Sequence, residues 1–122
     1  MVVYGTDSID EISLSASTKG LRIQGRRIQN HMKSHLNSLD LKDAKKEELI
    51  GGMPEENAKI AREILDGKEG PKMDAVLLNA GAAIYLASDN LTMQDAIEKA
   101  RDIITSGAAK KQLEKFVEKS NA

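Results

Sequence analysis

The chain reads as an α/β domain, with short strands in its first half followed by about four helices. Three observations carry that reading. Residues 1–53 hold brief apolar runs separated by Gly, Asp, Ser and Thr, the residues that supply turns. Residues 54–122 hold longer apolar runs at helical spacing, bounded by Pro and Gly. A length of 122 residues is one domain's worth of chain, too little for two independent cores.

The strand runs are Met1 to Tyr4, Glu11 to Leu14, Gly20 to Gln24 and Arg27 to Gln29. Alternation is clearest in Leu21-Arg22-Ile23-Gln24, which predicts a strand with one wet face. Arg26 to Lys46 is basic and polar with scattered leucines, and Gly51-Gly52 closes this half with a flexible break.

Pro54 opens the first helix, and Glu55 and Glu56 favour its positive N-terminus. Ala58, Ile60, Ala61, Ile64 and Leu65 recur along one face until Gly67 stops the run. Gly70-Pro71 starts a second helix, Lys72 to about Ser88, whose middle is apolar nearly all round and must be covered on most faces. Its small residues Ala80, Gly81, Ala82 and Ala83 allow a close neighbour. Thr92 with Asp95 has the spacing of a helix cap, opening a third helix with Ala96, Ile97, Ala100, Ile103 and Ile104 on one stripe. After Ser106-Gly107, Ala108 to Lys119 forms a last amphipathic helix carrying Leu113, Phe116 and Val117.

Composition narrows the classes of function. Eighteen basic and nineteen acidic residues leave a net charge of -1, which argues against wholesale electrostatic binding of nucleic acid. Only three aromatics (Tyr4, Tyr85, Phe116) are present, too few for base stacking. They also leave the core to Leu, Ile, Val, Ala and Met, a thin core that suggests burial against something else. No run is long and apolar enough for a membrane span, and the first residues lack the pattern of a secretory signal. With no cysteine there is no disulfide or thiol chemistry, which suits a cytoplasmic protein.

Four segments match the motifs of one known family. Val2-Val3-Tyr4-Gly5-Thr6-Asp7-Ser8-Ile9-Asp10-Glu11-Ile12-Ser13 is similar to its VVHG-x-(D/E)-G-L-D-E-(I/V)-S segment. Gly51-Gly52-Met53-Pro54-Glu55-Glu56-Asn57-Ala58 resembles its GG-(D/N)-P-x-E-N-A. Gly70-Pro71-Lys72-Met73-Asp74-Ala75-Val76-Leu77-Leu78-Asn79-Ala80-Gly81-Ala82-Ala83 resembles its GP-x-(R/K)-D-x-V-L-L-N-A-(A/G)-A-A. Ala100 to Ala109 resembles the closing A-R-E-x-I-x-S-G-x-A. Together these segments resemble anthranilate phosphoribosyltransferase, and the likeness runs from residue 2 to residue 120.

The resemblance implies transfer of a 5-phosphoribosyl group from phosphoribosyl pyrophosphate to anthranilate, with Mg2+, in tryptophan biosynthesis. It implies the C-terminal portion of a nucleoside phosphorylase/phosphoribosyltransferase-type catalytic domain, covering residues 1–122. The family's GTGGD loop, KHGN segment and N-terminal helical domain lie outside the resemblance, so the chain is expected to be a fragment or one half of a split enzyme, inactive alone. The partners implied are the two substrates, the missing N-terminal part and a second copy in a homo-oligomer. Neither nucleic acid nor membrane is implied. The alternatives are a non-catalytic oligomerisation or interaction module, and part of a pyrimidine-nucleoside phosphorylase-like enzyme.

Read from the residues alone, Asp10-Glu11 is a solvated loop end. With the motif around it, the resemblance makes the pair ligands of Mg2+ in the complete enzyme. Magnesium takes hard oxygen ligands, often one or two carboxylates together with substrate phosphates and water. On a regular strand adjacent side chains diverge, so the pair requires a turn around Ser8-Ile9-Asp10. Asp7 reads as a solvated loop charge, and Tyr4 stands where the family has histidine. His31 and His35, four apart, could share a helix face, but two ligands make no zinc site. The interleaved charges from Arg26 to Glu48 read as a solvated face. Gly51-Gly52 has no Gly-Lys-Ser/Thr after it and reads as a turn before a helix. Asn79, inside the most apolar helix, is expected to hydrogen-bond a neighbouring backbone.

Overall fold

The computed structural model describes residues 1–24, 26–31 and 39–122. Its elements run β1 (Val2–Gly5), β2 (Thr18–Gln24), β3 (Arg27–His31), α1 (Lys46–Leu49), α2 (Pro54–Leu65), α3 (Pro71–Leu86), α4 (Met93–Thr105) and α5 (Ala108–Ser120). Three of the four expected strands and all four expected helices are found within a few residues of their predicted bounds. The one-turn α1 is additional, its Glu48 carboxylate accepting the Lys45 amide at 2.8 Å.

The strands form one antiparallel sheet in the order β1-β2-β3. Val2 faces Leu21, Tyr4 faces Lys19 and Ile23 faces Ile28. Alternation therefore divides the sheet. Val2, Tyr4, Leu21, Ile23 and Ile28 share one face, and all five are exposed, Ile28 at 70%. On the other face Arg22 reaches α3, where its guanidinium lies 5.0 Å from the Tyr85 ring centre and donates to the phenol oxygen at 2.8 Å.

Glu11 to Leu14 is not a strand. Its backbone groups are engaged by side chains: Ile12 pairs with Asn79 and the Ser13 amide donates to Thr18 Oγ1 at 3.0 Å. Those groups are unavailable to a ladder.

The core lies between α3, α4 and the segments Ile12 to Leu14 and Leu41 to Ala44. Its fully buried side chains include Leu14, Leu77, Leu78 and Ile97. Alpha-helices 3 and 4 cross closely at Gly81, where an added Cβ would sit 2.6 Å from Ile97 Cγ1 and 3.0 Å from its Cα. The small-residue stretch thus does what its composition predicts. The capping residues also act as expected. Thr92 Oγ1 accepts the Asp95 amide at 3.1 Å while Asp95 accepts the Thr92 amide at 3.1 Å. Alpha-helix 2 ends at Gly67, whose φ of +86° is a left-handed conformation that glycine adopts without strain.

Candidate functional site

The site grows out of the end of β1. Gly5 closes a tight turn: its amide donates to Ile9 O at 2.8 Å, and Ser8 N donates back to Gly5 O at 3.0 Å. Ser8 takes φ +71°. A Cβ on Gly5 would meet Asp7 Oδ1 at 2.5 Å, so the turn leaves no room for a side chain. The turn expected around Ser8-Ile9-Asp10 lies nearer the strand, closed between Gly5 and Ile9. Asp10 and Glu11 follow it on non-strand backbone, and both are exposed.

The loop is held from both sides. Before the pair, Asp7 Oδ2 accepts the Ser13 hydroxyl at 2.7 Å and the Ser15 hydroxyl. The Ser13 hydroxyl oxygen in turn accepts the amides of Ser15 and Ala16 at 3.0 and 3.2 Å. The Ser15 hydrogen bond, with that of Ser13, holds the Asp7 carboxyl below its usual range against the opposing effect of partial burial. Lys46 Nζ also donates to the Asp7 carbonyl at 2.8 Å. Asp7 is thus the tie that closes the loop, and the reading of it as a solvated charge is corrected. Sequence reasoning missed it because Ser13 and Ser15 reach Asp7 only once the turn is made.

After the pair, Asn79 of α3 reaches Ile12. Its Oδ1 accepts the Ile12 amide at 3.0 Å, and its Nδ2 donates to Ile12 O and to Ala75 O, each at 3.0 Å. The expected backbone partner is therefore found 67 residues away.

A second motif segment uses the same device. Asn57 of α2 accepts the Gly52 amide at 2.8 Å and donates to Gly52 O at 2.9 Å. A Cβ on Gly51 would collide with the Asn57 side chain, and one on Gly52 with Glu56. The double glycine is a turn before a helix, as expected, and its lack of side chains is what lets Asn57 fold back.

Between these loops lies a cavity of about 620 Å³. Glu11 and Ile9 line it from the carboxylate loop, Gly51 and Asn57 from the glycine loop, and Ile60 and Val76 from α2 and α3. Lys72 Nζ also borders it but is held by the carbonyls of Glu48 and Ile50, each at 2.7 Å. The cavity wall is thus mostly apolar, with the exposed Glu11 carboxylate at its edge.

Of the other candidates, Tyr4 lies half-exposed on the open sheet face. His35 and Lys33 lie outside the described residues. Arg26, Arg27, Lys42, Lys45 and Lys46 are exposed, as a solvated face requires. Among the described residues, no three His, Cys, Asp or Glu side chains converge on one point. No helix among them is long and apolar enough to cross a membrane.

A small antiparallel sheet layered on helices, with a carboxylate-bearing loop beside a cavity, defines an α/β domain of the kind that places polar groups at a strand's end. The chain belongs to the glycosyl transferase family, a/b domain, whose family model matches residues 1–110. It is 48% identical to an anthranilate phosphoribosyltransferase of Lachnoclostridium phytofermentans over 99% of this chain and 36% of that relative. It is 42% identical to one from Methanobrevibacter smithii, over 98% of this chain and 36% of the relative. The fold is similar to that of the Saccharomyces cerevisiae anthranilate phosphoribosyltransferase. The TM-score is 0.86 to its complex with 4-fluoroanthranilate, at 25% identity, covering 95% of this chain and 34% of that one. It is 0.82 to the complex with PRPP and Mg, at 25% identity, covering 95% and 33%. The chain therefore spans about a third of the length of the relatives it matches.

Proposed function

We propose that this chain supplies the metal-holding loop of an anthranilate phosphoribosyltransferase. The observation that carries the reading is the 48% identity across nearly the whole chain, joined to a loop built to present Asp10 and Glu11. In the proposed reaction the bond between the ribosyl anomeric carbon and pyrophosphate breaks, and pyrophosphate leaves with the electron pair. The anthranilate nitrogen bonds to that carbon and loses a proton to solvent. Magnesium, when bound, neutralises charge on the departing pyrophosphate.

The donor set fits that ion. Two exposed carboxylates would provide hard oxygens to it, as magnesium sites beside phosphates commonly do. Asp10 and Glu11 would hold the ion at the loop, while the hydrogen bonds of Asp7 with Ser13 and Ser15 tie the loop together. No nucleophile or general base is required of this chain, because positioning and charge neutralisation supply the rate. The work belongs to tryptophan biosynthesis in the cytoplasm. The partners are phosphoribosyl pyrophosphate, anthranilate, the remaining two thirds of such an enzyme and a second copy. The isolated chain forms no phosphoribosyl anthranilate.

The test is a chimera in which this chain replaces the matched stretch of the Lachnoclostridium phytofermentans relative. An active chimera that loses activity on Asp10→Ala/Glu11→Ala supports the reading. A folded, inactive chimera, or one indifferent to the double substitution, contradicts it.

One observation favours a second reading, an interaction module. The open sheet face carries five exposed side chains, with Val2 at 71% and Ile23 at 67%, and such apolar surface marks a contact. Size-exclusion chromatography tests this reading, since a clean monomer of 13.3 kDa counts against self-association through that face.

A further inference from the structure

We propose that Asn79 is a positioning residue for Asp10 and Glu11, acting through the backbone of Ile12; the inference rests on the metal reading of that pair. Its side chain lies in the most apolar helix of the molecule, where a polar group costs stability unless it is paired. Every polar atom of the amide is engaged. One donor goes to Ala75 O, one turn back in the same helix, which fixes the amide's orientation. The remaining donor and the acceptor go to the two backbone groups of Ile12.

Ile12 adjoins Glu11, so clamping both of its backbone groups fixes where the Glu11 carboxylate leaves the chain. The Ile12 side chain is itself only 3% exposed, locked among core residues. The exposed Glu11 carboxylate is thus attached to an immobilised neighbour, at the edge of the cavity that it shares with Asn79. On the other side of the pair the Asp7–Ser13–Ser15 tie limits the loop. A residue serving only to join loop and helix could have been placed anywhere along the loop. This one grips the residue next to the carboxylates, and it holds them for a metal and pyrophosphate instead of leaving them on a free loop.

The test compares the whole chain with Asn79→Leu, which keeps the volume and removes the hydrogen bonds. Ile104→Ala, at a buried position of α4, serves as a control that weakens the shared core while leaving the Asn79–Ile12 hydrogen bonds in place. Amide exchange reads the clamp, and Mn2+ titration in the presence of pyrophosphate reads the carboxylates. In Asn79→Leu the Ile12 amide is expected to exchange about tenfold faster or more, and Mn2+ affinity to fall by about tenfold. Ile104→Ala is expected to lower thermal stability and leave the affinity unchanged.

Unchanged exchange at Ile12 in Asn79→Leu overturns the proposal. So does an equal loss of affinity in Ile104→Ala, which would make the effect one of general stability. Absence of Mn2+ binding in the unaltered chain speaks against the metal reading in this chain. Exchange at Asp10, Glu11 and Ile12 then decides the clamp alone, and no acceleration there overturns it.

Discussion

At the scale of single residues, the loop around Asp10 and Glu11 depends on groups that do no chemistry. Asp7 is the clearest case. Its carboxyl is held below the ordinary value of 3.8 mainly by the Ser15 hydroxyl. The folded-state value lies below the unfolded one, so the ionised carboxylate contributes stability that is present above about pH 3.8 and lost as the pH falls through the lowered folded value. Asp7→Asn should flatten the acid limb of a stability–pH curve measured by thermal unfolding between pH 2 and 5, a range of about three units around that value. An unaltered acid limb would show that the serine contacts do not persist in solution. Asp7 was not legible in the sequence, where it is one acid among nineteen. Its partners lie six and eight residues on, and no periodicity relates them. Asn79 was half legible: its burial announced a backbone partner, but nothing in the chain's pattern pointed to Ile12.

At the scale of elements, the helices were readable because their ends are written in residue types with fixed physical roles. Pro54 and Pro71 stand at first helical positions, and Gly67 takes the left-handed conformation that ends a helix. Thr92→Ala should cost about 1 kcal/mol, the usual worth of such a cap, measured by denaturant unfolding. Gly81→Ala should cost more, about 1–3 kcal/mol, because the added carbon meets the Ile97 backbone as well as its side chain. A Gly81→Ala chain as stable as the parent would mean that α3 and α4 can separate without penalty. Glu11 to Leu14 was misread as a strand. Its apolar alternation is real, but Ile12 and Leu14 point into the core from a loop. The ties of Asn79 and Thr18 that replace a ladder depend on contacts remote in sequence or on a turn.

At the scale of the whole molecule, the thin core foreseen from three aromatics takes a definite form. Helices α3 and α4 bury their shared face well, yet one sheet face and Phe116 of α5 remain open. Three of the four family motifs, scattered along the sequence, are brought around one cavity by α2 and α3. That gathering follows from packing between residues far apart in the chain, which local patterns do not encode. The chain spans about a third of the length of the relatives it matches, and the proposed function therefore predicts that the chain alone makes no phosphoribosyl anthranilate when given both substrates and Mg2+. Detectable product from the purified chain would refute it.

The central claim is that this chain carries the carboxylates that hold the metal against pyrophosphate. Calorimetric titration of Mg2+ with pyrophosphate into the chain, beside its Asp10→Ala/Glu11→Ala variant, tests it most directly. The account predicts a binding heat in the parent that vanishes in a folded double variant. Equal heats in the two would place the metal elsewhere and contradict the account.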